Sequence, residues 1–380
     1  MTVASLQKTR RLLACFSHLP WDLVFQRPQH LLTRAASDYS VLYVEEPIEA
    51  EVAAPRLDLR IRQAGVEVAT PVLPRGMADR AAAVRALVFA EIERRNPVEL
   101  VTWYYTPMAL DYTDGIKADI VVYDVMDELS AFQNPPAGLI ERETRLYAMA
   151  DVVFTGGPSL YAAKRGRHPN IHSFPSSIDV AHFASARSHT EDPADQAGIA
   201  HPRIGYFGVI DERLDTALVA QVAAECPDMQ FVVLGPVVKI DPASLPQAAN
   251  LHWLGSKSYA DLPAYLSHWD AGWMPFALND ATRFISPTKT PEFLAAGLRV
   301  TSTAVTDVVR GYGDLGLVEI ADATTMAGLL RASLAPTDAR WRARVNARLA
   351  QSSWDSTWAE MNAHLTRIEA ARKIPVRRKA

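Results

Sequence analysis

Short apolar runs alternate along the chain with longer stretches in which apolar residues recur at helical spacing. Near-continuous apolar runs predict strands that are buried on both faces of a sheet. We expect strands at residues 12–17, 41–45, 57–62, 100–104, 120–124, 152–155, 171–174, 203–207, 230–234, 250–254, 271–275, 299–303 and 317–320. Helical spacing is clear at residues 78–95 and 139–150. This alternation favours an α/β fold with parallel, doubly wound sheets.

The alternation of strand and helix occurs twice, which predicts two Rossmann-like domains. A length of 380 residues is too great for one ordinary core and suits two domains. Residues 184–202 are polar, contain Pro and Gly and lack an apolar period, which is typical of a linker. We therefore expect an N-terminal domain of residues 1–182, a linker of residues 183–202 and a C-terminal domain of residues 203–351.

The composition is that of an ordinary globular protein, with 49% apolar and 22% charged residues. A net charge of −4 gives no electrostatic reason to expect nucleic acid as a partner. Cys15 and Cys226 are far apart and belong to no Cys/His cluster, so neither a disulfide framework nor a structural zinc site is indicated. No secretory signal and no membrane-spanning apolar run is visible, so we expect a cytoplasmic protein.

Residues 285–300, ISPTKTPEFLAAGLRV, predict a short helix at the cleft between the two domains. Ser286 and Thr288 can cap its start, and the free N–H groups there suit a phosphate. Lys289 adds a positive charge, and Glu292, about one turn later, can accept hydrogen bonds from ribose hydroxyls. The alternative is a capped surface helix with a solvated Lys–Glu pair.

This segment resembles the donor-site signature of GT-B glycosyltransferases, especially the bacterial family 4 group, which reads roughly E…[KP]-x-x-E-A-x-A-x-G-x-P-V. The resemblance implies two Rossmann-like domains that face each other across a cleft. It also implies that Lys289 holds the diphosphate of a nucleotide sugar and that Glu292 holds its ribose. The earlier glutamate of the signature falls at Phe284, so the grip on the donor sugar and the stereochemistry stay open.

Two further segments of the C-terminal half resemble the same enzymes. In GYFGVIDERLD the resemblance implies that Arg213 binds the diphosphate and that Gly208 lets the backbone approach it closely. The alternative is that Arg213 pairs with a neighbouring carboxylate. In LHWLGSKSY it implies that backbone groups of Leu254 and Gly255 cradle the nucleobase, and an ordinary strand–turn–helix is the alternative.

Three carboxylates follow the strand predicted at residues 120–124, namely Asp124, Asp127 and Glu128. A general base must lie within hydrogen-bond reach of the proton it removes, and a strand end in the cleft meets that need. Asp127 is our first choice and Asp124 the second. The alternatives are that Asp124 orients the loop and that Asp127 and Glu128 supply charge at a helix start. The spacing is not that of a DxD metal motif, and we expect neither a metal nor a cofactor besides the nucleotide-sugar substrate.

The acceptor half has candidates on two strand ends. His18 follows the first strand and should open on the cleft as a third catalytic candidate. Trp21 and Arg27 suit stacking on an acceptor and hydrogen bonding to it, and Tyr104 ends a second strand. The segment around residues 21–31 resembles the W-D-x-x-x-Q-R-P-Q-H-L opening of a bacterial subgroup of these transferases. Packing of the aromatic residues on neighbouring helices is the alternative.

The last helical stretch, residues 338–373, is broken near residues 352–355. The resemblance implies that its final part, from about residue 352 to 372, crosses back to the N-terminal domain. Trp354 and Trp358 share one helical face and are predicted to anchor it by packing. The tail of residues 371–380 is basic and suits peripheral contact with anionic lipid at the inner membrane, and a solvated tail is the alternative.

These observations predict a glycosyltransferase that moves a sugar from a UDP- or GDP-sugar to a saccharide or lipid-linked saccharide, in bacterial surface polysaccharide synthesis. Lys289, Arg213 and the helix start would stabilise charge on the departing diphosphate. One alternative is a sugar-nucleotide epimerase of the same fold, and another is a non-catalytic nucleotide-binding or scaffold relative. A nicotinamide dehydrogenase is not expected, because no GxGxxG follows a first strand.

Overall fold

The computed structural model describes residues 11–373, which form two α/β domains, each built on one sheet. The strands are β1 Arg11–Phe16, β2 Ser40–Val44, β3 Ile48–Ala50, β4 Arg56–Ile61, β5 Glu67–Pro74, β6 Glu99–Tyr104, β7 Ile120–Val125, β8 Val152–Thr155, β9 Ile171–Ser173, β10 Arg203–Phe207, β11 Gln230–Leu234, β12 Leu251–Trp253, β13 Ala271–Met274, β14 Val300–Thr303 and β15 Glu319–Ala321. The α-helices are α1 Arg27–Ala35, α2 Arg80–Arg95, α3 Leu110–Thr113, α4 Leu139–Met149, α5 Pro158–Lys164, α6 Val180–Ala184, α7 Thr216–Glu225, α8 Leu262–Leu266, α9 Lys289–Ala296, α10 Thr306–Val308, α11 Met326–Ser333, α12 Ala339–Leu349 and α13 Trp354–Lys373.

Both sheets reverse their strand order at their first strand. The N-terminal sheet has the order β3-β5-β2-β1-β6-β7-β8-β9, with β4 on β5, and the C-terminal sheet has the order β12-β11-β10-β13-β14-β15. Strand β1 lies between β2 and β6, and β10 lies between β11 and β13. Doubly wound sheets bind ligands outside the carboxyl ends of their strands at such a reversal. The ends of β1 and β10 therefore locate the site.

The predicted fold class, α/β with two Rossmann-like domains, is confirmed, and each predicted strand exists with small shifts of its bounds. Strands β3 and β5 were missed. Strand β5 contains Pro71 and Pro74, which argue against an inner strand, but they lie beyond the stretch that pairs with β2. The N-terminal sheet is also not wholly parallel, because β4 pairs antiparallel with β5. The short connection between these two strands permits no parallel crossover.

The C-terminal helix α13 returns to the N-terminal domain, as predicted. Trp354 and Trp358 are both buried in the apolar cluster that covers one face of the N-terminal sheet. The Trp358 ring lies 6.2 Å from that of Trp103 on β6. The predicted break falls between α12 and α13. This helix therefore ties the end of the chain to the first domain by buried aromatic packing.

The predicted linker, residues 183–202, packs against the C-terminal domain instead of lying free. Gln196 is fully buried, and its side chain hydrogen-bonds with the Trp269 indole and the Tyr265 carbonyl. This packing gives a polar segment a fixed position, and the domain boundaries that we expected remain our proposal. Among residues 11–373, no helix is both long enough and apolar enough to cross a bilayer. Most of the basic tail, from residue 374 onward, lies outside the described residues.

Candidate active site

A cavity of about 140 Å³ lies between the two domains at the carboxyl ends of β7, β8 and β10. We call it the central cavity. It is bounded by Gln26, Asp127 and Gly156 on the N-terminal side and by Gly208, Arg213 and Lys289 on the C-terminal side. Residues that are far apart in sequence thus meet at the strand ends where this type of fold binds ligands.

Lys289 is the first residue of α9 and is half-buried in the wall of the central cavity. Its ammonium lies 5.6 Å from the centre of the Tyr206 ring. Burial lowers the pKa of Lys289, and the nearby guanidinium of Arg213 lowers it further. Among the described residues, no carboxylate oxygen lies within 4.0 Å of this ammonium. An enclosed cation without an ion-pair partner suits an anionic ligand.

Glu292 lies one turn after Lys289, is buried, and also lines the central cavity. Burial raises the pKa of Glu292, and the charge of Lys289 counteracts this. The two side chains therefore influence each other without forming a direct ion pair. A hydrogen bond from the Thr288 side chain also lowers the pKa of Glu292, and its predicted contact with ribose stays a prediction.

Gly208 follows β10 with a φ of +132°, a conformation that side chains strongly disfavour. A Cβ atom at this position would collide with the end of the Lys289 side chain. The absence of a side chain at Gly208 thus makes the space that Lys289 occupies.

Arg213 lines the same cavity as Lys289, with 24% of its side chain exposed. It also forms the ion pair that we considered as the alternative, since its Nη2 donates to Asp211 Oδ2 at 2.8 Å and its Nε to Oδ1 at 3.0 Å. Asp211 is buried and holds the guanidinium against the cavity. Sequence reasoning considered a neighbouring carboxylate only as a competing partner of Arg213 and missed this supporting position.

The side chains of Ser286 and Thr288, which we expected to cap the start of α9, are placed differently. Thr288 precedes the helix with helical backbone angles, and its side chain makes no capping hydrogen bond. Both Ser286 and Thr288 line the central cavity instead. Ser286 also faces the N-terminal domain, where a Cβ at Gly157 would come within 2.8 Å of the Ser286 Cβ. The two hydroxyls are therefore placed toward the cleft and not toward the helix backbone.

Leu254 and Gly255 lie beside a second cavity and use backbone groups within the protein. The Leu254 N–H donates to Val233 O at 2.9 Å, and Gly255 O accepts from Gly235 N–H at 2.8 Å. The Leu254 N–H and the Gly255 carbonyl are therefore already bonded within the protein, and the expected contact of this segment with a nucleobase stays a prediction. The following residues, 256–260, line a cavity of about 360 Å³ that adjoins the central one, which we call the side cavity.

Asp124 and Arg27 form a buried ion pair, and Arg27 lines the central cavity. Arg27 Nη2 donates to Asp124 Oδ1 at 2.9 Å, and Arg27 Nη1 donates to Phe174 O at 2.7 Å. Asp124 is fully enclosed, and Arg27 is 2% exposed. Asp124 is fully enclosed by this pair, so we correct our second choice of base, which supports the loop that carries the site. The expected contact of Arg27 with the acceptor stays a prediction.

Asp127, our first choice of base, is half-buried and lines the central cavity opposite Lys289. Burial raises its pKa, Arg213 lowers it, and Asp211 raises it. The net result is a carboxyl group with a pKa above its usual range. Such a group is better matched to proton transfer near neutral pH than an ordinary surface carboxylate.

The remaining candidates are placed at three different depths. Tyr104 packs in the core, 5.1 Å from the Phe16 ring, and lines neither cavity, so the structure gives its expected contact with the acceptor no support. Because Tyr104 is the last residue of β6, the sequence did not determine the direction of its side chain.

Trp21 is buried against Tyr43, with a distance of 4.9 Å between the ring centres, and of the two cavities it lines only the side cavity. His18 follows β1 and has a buried Nδ1 without a partner, and burial lowers its pKa to about 4.

The loop after Asp127 crosses to the C-terminal domain, which sequence reasoning did not predict. The Gln133 N–H donates to Glu212 Oε1 at 2.9 Å. The Phe132 ring lies 5.5 Å from the Arg213 guanidinium and 5.0 Å from the ammonium of Lys239. No motif marks Phe132 or Lys239 in the sequence. In residues 11–373, no group of three or more His, Cys, Asp or Glu side chains could hold a metal ion.

Removing the Asp124 carboxylate should destabilise the protein strongly, because Arg27 would keep a buried charge without a partner. We expect Asp124→Ala to lower the free energy of unfolding by about 3–5 kcal/mol in urea denaturation. The matched control is Asp58→Ala, which removes an exposed ion pair with Arg56 and should cost under about 1 kcal/mol. Equal losses in the two variants would show that the buried pair has no special role.

Comparison with known proteins shows the fold and one distant relative. No protein-family model matches the chain. Over 218 residues the chain is 25% identical to the "Putative teichuronic acid biosynthesis glycosyltransferase TuaH" of Bacillus subtilis strain 168. The match covers 53% of this chain and 54% of the relative, so the chain spans about half the length of the curated relative it matches.

Solved structures are similar over nearly the whole chain. A sucrose-phosphate synthase from Thermosynechococcus elongatus has a TM-score of 0.72 at 15% identity, covering 95% of this chain and 100% of that one. An E. coli structure described as trehalose-6-phosphate bound with UDP-2-fluoro glucose has a TM-score of 0.69 at 10% identity, covering 93% and 98%. At such identities the likeness shows the fold alone, and that fold is the GT-B arrangement predicted from the sequence.

Proposed function

We propose that this GT-B chain is a glycosyltransferase that moves a sugar from UDP or GDP to a saccharide or lipid-linked saccharide. The observation that carries the proposal is the meeting of Lys289 and Arg213 in one cavity at the end of β10. Two cations on one wall suit the two linked phosphates of a nucleotide sugar. The distant relative, named for teichuronic acid biosynthesis, and the solved neighbour with UDP-2-fluoro glucose support this donor class.

The donor would lie across both cavities of the C-terminal domain. The diphosphate would contact Lys289, Arg213 and the free N–H groups at the start of α9, with Glu292 accepting hydrogen bonds from the ribose. The nucleobase would occupy the side cavity next to residues 256–260. The positive groups stabilise charge that develops on the leaving nucleoside diphosphate. Since Lys289 and Arg213 supply this charge, the proposal needs no bound metal.

Transfer breaks the bond from the anomeric carbon to the diphosphate oxygen and forms a bond from that carbon to the acceptor oxygen. With inversion of configuration, the acceptor proton passes to Asp127. With retention, the donor phosphate takes this proton and Asp127 positions the acceptor. The raised pKa of Asp127 favours the first route. The proposed role is in the synthesis of surface polysaccharide. We place the protein in the cytoplasm, because its two free cysteines would stay reduced there.

The proposed function is tested by incubating the protein with a panel of UDP- and GDP-sugars and saccharide acceptors and measuring nucleoside diphosphate release. We expect release from at least one donor, increased by an acceptor and lost in Lys289→Ala. Epimerised sugar without any release would identify an epimerase instead. An absence of both reactions, with no nucleotide that stabilises the protein thermally, would point to a non-catalytic relative.

Donor binding should weaken as pH rises above neutrality. The protonated form of Lys289 binds the diphosphate, and its pKa lies below the usual lysine range because of burial and Arg213. Raising the pH through that pKa of about 8 removes the charge, and the affinity for UDP should then fall by up to about tenfold per pH unit. Calorimetric titration at several pH values measures this fall.

The matched control for this pH dependence is Lys289→Arg, which stays charged throughout the range. Its affinity for UDP should change far less with pH. Ionisation of the uracil ring affects both proteins equally and cancels in the comparison. The same fall in both proteins would show that Lys289 does not bind the diphosphate.

A further inference from the structure

We propose that Phe25, a residue of the N-terminal domain, is the aromatic platform on which the nucleobase of the sugar donor stacks. This inference rests on the proposed function, since it names a further donor contact for the same reaction. It means that the donor site is completed by the N-terminal domain and is not built from the C-terminal domain alone.

Phe25 lies where the two cavities of the cleft join. It lines the central cavity together with Lys289 and Arg213, and it lines the side cavity together with Tyr259. A nucleotide whose diphosphate contacts the two cations passes this junction when its nucleobase enters the side cavity. Of the two cavities, Asp127, which would meet the acceptor, lines only the central one. The junction at Phe25 therefore belongs to the donor and not to the acceptor.

The ring of Phe25 stacks on Tyr259 of the other domain. The ring centres are 4.6 Å apart, with an angle of 29° between the planes. His182 also stacks on Tyr259, at 4.3 Å and 12°. Two rings that stack so closely on a third must lie on its opposite faces, because on one face they would overlap. Tyr259 therefore has no open face, whereas it covers only one face of Phe25.

His30 lies beside this stack and not on top of it. Its ring centre is 4.7 Å from that of Phe25 at an angle of 89°, and 5.3 Å from that of Tyr259 at 77°. A ring on the outer face of Phe25 would be much farther from Tyr259, so His30 meets the stack from the side. These ring contacts leave the outer face of Phe25 uncovered, and the half-buried ring borders both cavities.

The loop that carries Phe25, between β1 and α1, is fixed by hydrogen bonds on both sides of this residue. Before it, the Trp21 N–H donates to Glu45 Oε1 at 2.7 Å, and Gln29 Nε2 donates to Trp21 O at 2.6 Å. After it, the Gln26 N–H donates to Gln29 Oε1 at 3.0 Å. The ring is thus held in place before a ligand binds, which lowers the entropy cost of binding.

A flat aromatic face at this junction suits a nucleobase better than it suits the other parts of the donor. Every nucleobase has a π-face that can stack on a phenyl ring, whereas phosphates remain bound to cations. The side cavity beyond Phe25 also contains Ser256, Lys257 and Ser258, whose polar groups can meet the edge of the nucleobase. Stacking on Phe25 would therefore distinguish a nucleotide from a bare diphosphate without selecting one nucleobase.

The test is calorimetric titration of the full chain with UDP, GDP and inorganic pyrophosphate. We expect Phe25→Ala to weaken binding of the tighter nucleotide by about 5–100-fold, the effect of removing one base–aromatic stack. The affinity for pyrophosphate, which has no nucleobase, should be unchanged. Phe25→Tyr keeps the aromatic face and should bind the nucleotide nearly as tightly as the unaltered protein. Phe25→Leu keeps an apolar side chain without a flat face and should bind it weakly.

The matched control is Phe89→Ala, which removes a half-buried phenyl ring on α2 that lines neither cavity. It should leave the affinity for the nucleotide unchanged. The inference is overturned by full nucleotide affinity in Phe25→Ala or Phe25→Leu, by an equal loss of pyrophosphate binding, or by a failure of Phe25→Tyr to bind. Absence of nucleotide binding to the unaltered protein would overturn it together with the proposed donor class.

These titrations need no turnover, so the inference and the proposed function can fail separately. If the affinities change as expected but no sugar is transferred, only the proposed function is contradicted. If sugar is transferred but Phe25→Ala binds the nucleotide normally, only the role of Phe25 is contradicted.

Discussion

Asp127→Asn is expected to lower the kcat of sugar transfer by about 10²–10⁴-fold, with little change in donor affinity. The carboxylate is the acidic group on the N-terminal wall of the central cavity, opposite the cations proposed to hold the diphosphate. Asparagine keeps the size of the side chain but cannot accept the proton of the acceptor hydroxyl. Steady-state rates at saturating donor, together with UDP titrations, separate the loss of chemistry from a loss of binding.

The pH profile gives a second measure of Asp127. A base must be deprotonated to act, so kcat/KM should fall as pH falls through the pKa of Asp127, which burial raises above the usual carboxylate range. This acidic limb should vanish in Asp127→Asn. The matched control is Glu128→Gln, because Glu128 is the adjacent carboxylate and pairs with Lys164 at 2.7 Å, outside the cavity. An equal loss of kcat in both variants, or full activity of Asp127→Asn, would remove Asp127 from the chemistry.

Lys289→Met is expected to lower kcat/KM by about 10²–10³-fold, the effect of removing one group that stabilises developing charge. Methionine fills similar space, so the packing at the start of α9 is preserved while the charge is lost. Gly208→Ala provides an independent variant of the same contact. Its Cβ would occupy the space of the Lys289 side chain and its backbone would be strained, so activity should fall although the lysine is present.

Lys117→Met serves as the control for charge, since Lys117 is exposed and distant from the strand ends that carry the site. Its kcat/KM should equal that of the unaltered protein. If Lys289→Met and Gly208→Ala both retained full activity, the diphosphate would have to bind elsewhere. Product analysis by NMR during the same experiments gives the configuration at the anomeric carbon, which decides between proton transfer to Asp127 and to the donor phosphate.

Local sequence pattern was sufficient for most of the fold, because buried parallel strands and their helices carry their own periodicity. Local pattern singled out Lys289, and the resemblance to GT-B enzymes singled out Arg213 and Gly208, and all three line one cavity. The prolines of β5 concealed that strand, since their effect depends on which part of the strand pairs with an inner neighbour. Local sequence thus indicates where a strand lies, but it does not show which strands pair with it in the sheet.

Contacts between distant segments were beyond local reasoning. Asp124 and Arg27 are 97 positions apart, and nothing in either segment shows that they neutralise each other next to the site. The Leu254 N–H and the Gly255 carbonyl are bonded to β11 and its following turn, which only the three-dimensional pairing reveals. The contact of Lys239 with the Phe132 ring of the other domain is likewise not indicated by either local sequence. The role of such residues can be identified only from the structure, because it depends on their partners in space.

The most direct test is a crystal structure of the protein in complex with the nucleoside diphosphate, UDP or GDP, that stabilises it most against heat. The account predicts that the diphosphate oxygens lie in the central cavity, within hydrogen-bond distance of both the Lys289 ammonium and the Arg213 guanidinium. It also predicts the ribose next to Glu292 and the base in the side cavity. A diphosphate that binds outside the central cavity, or that contacts neither cation, would contradict the account.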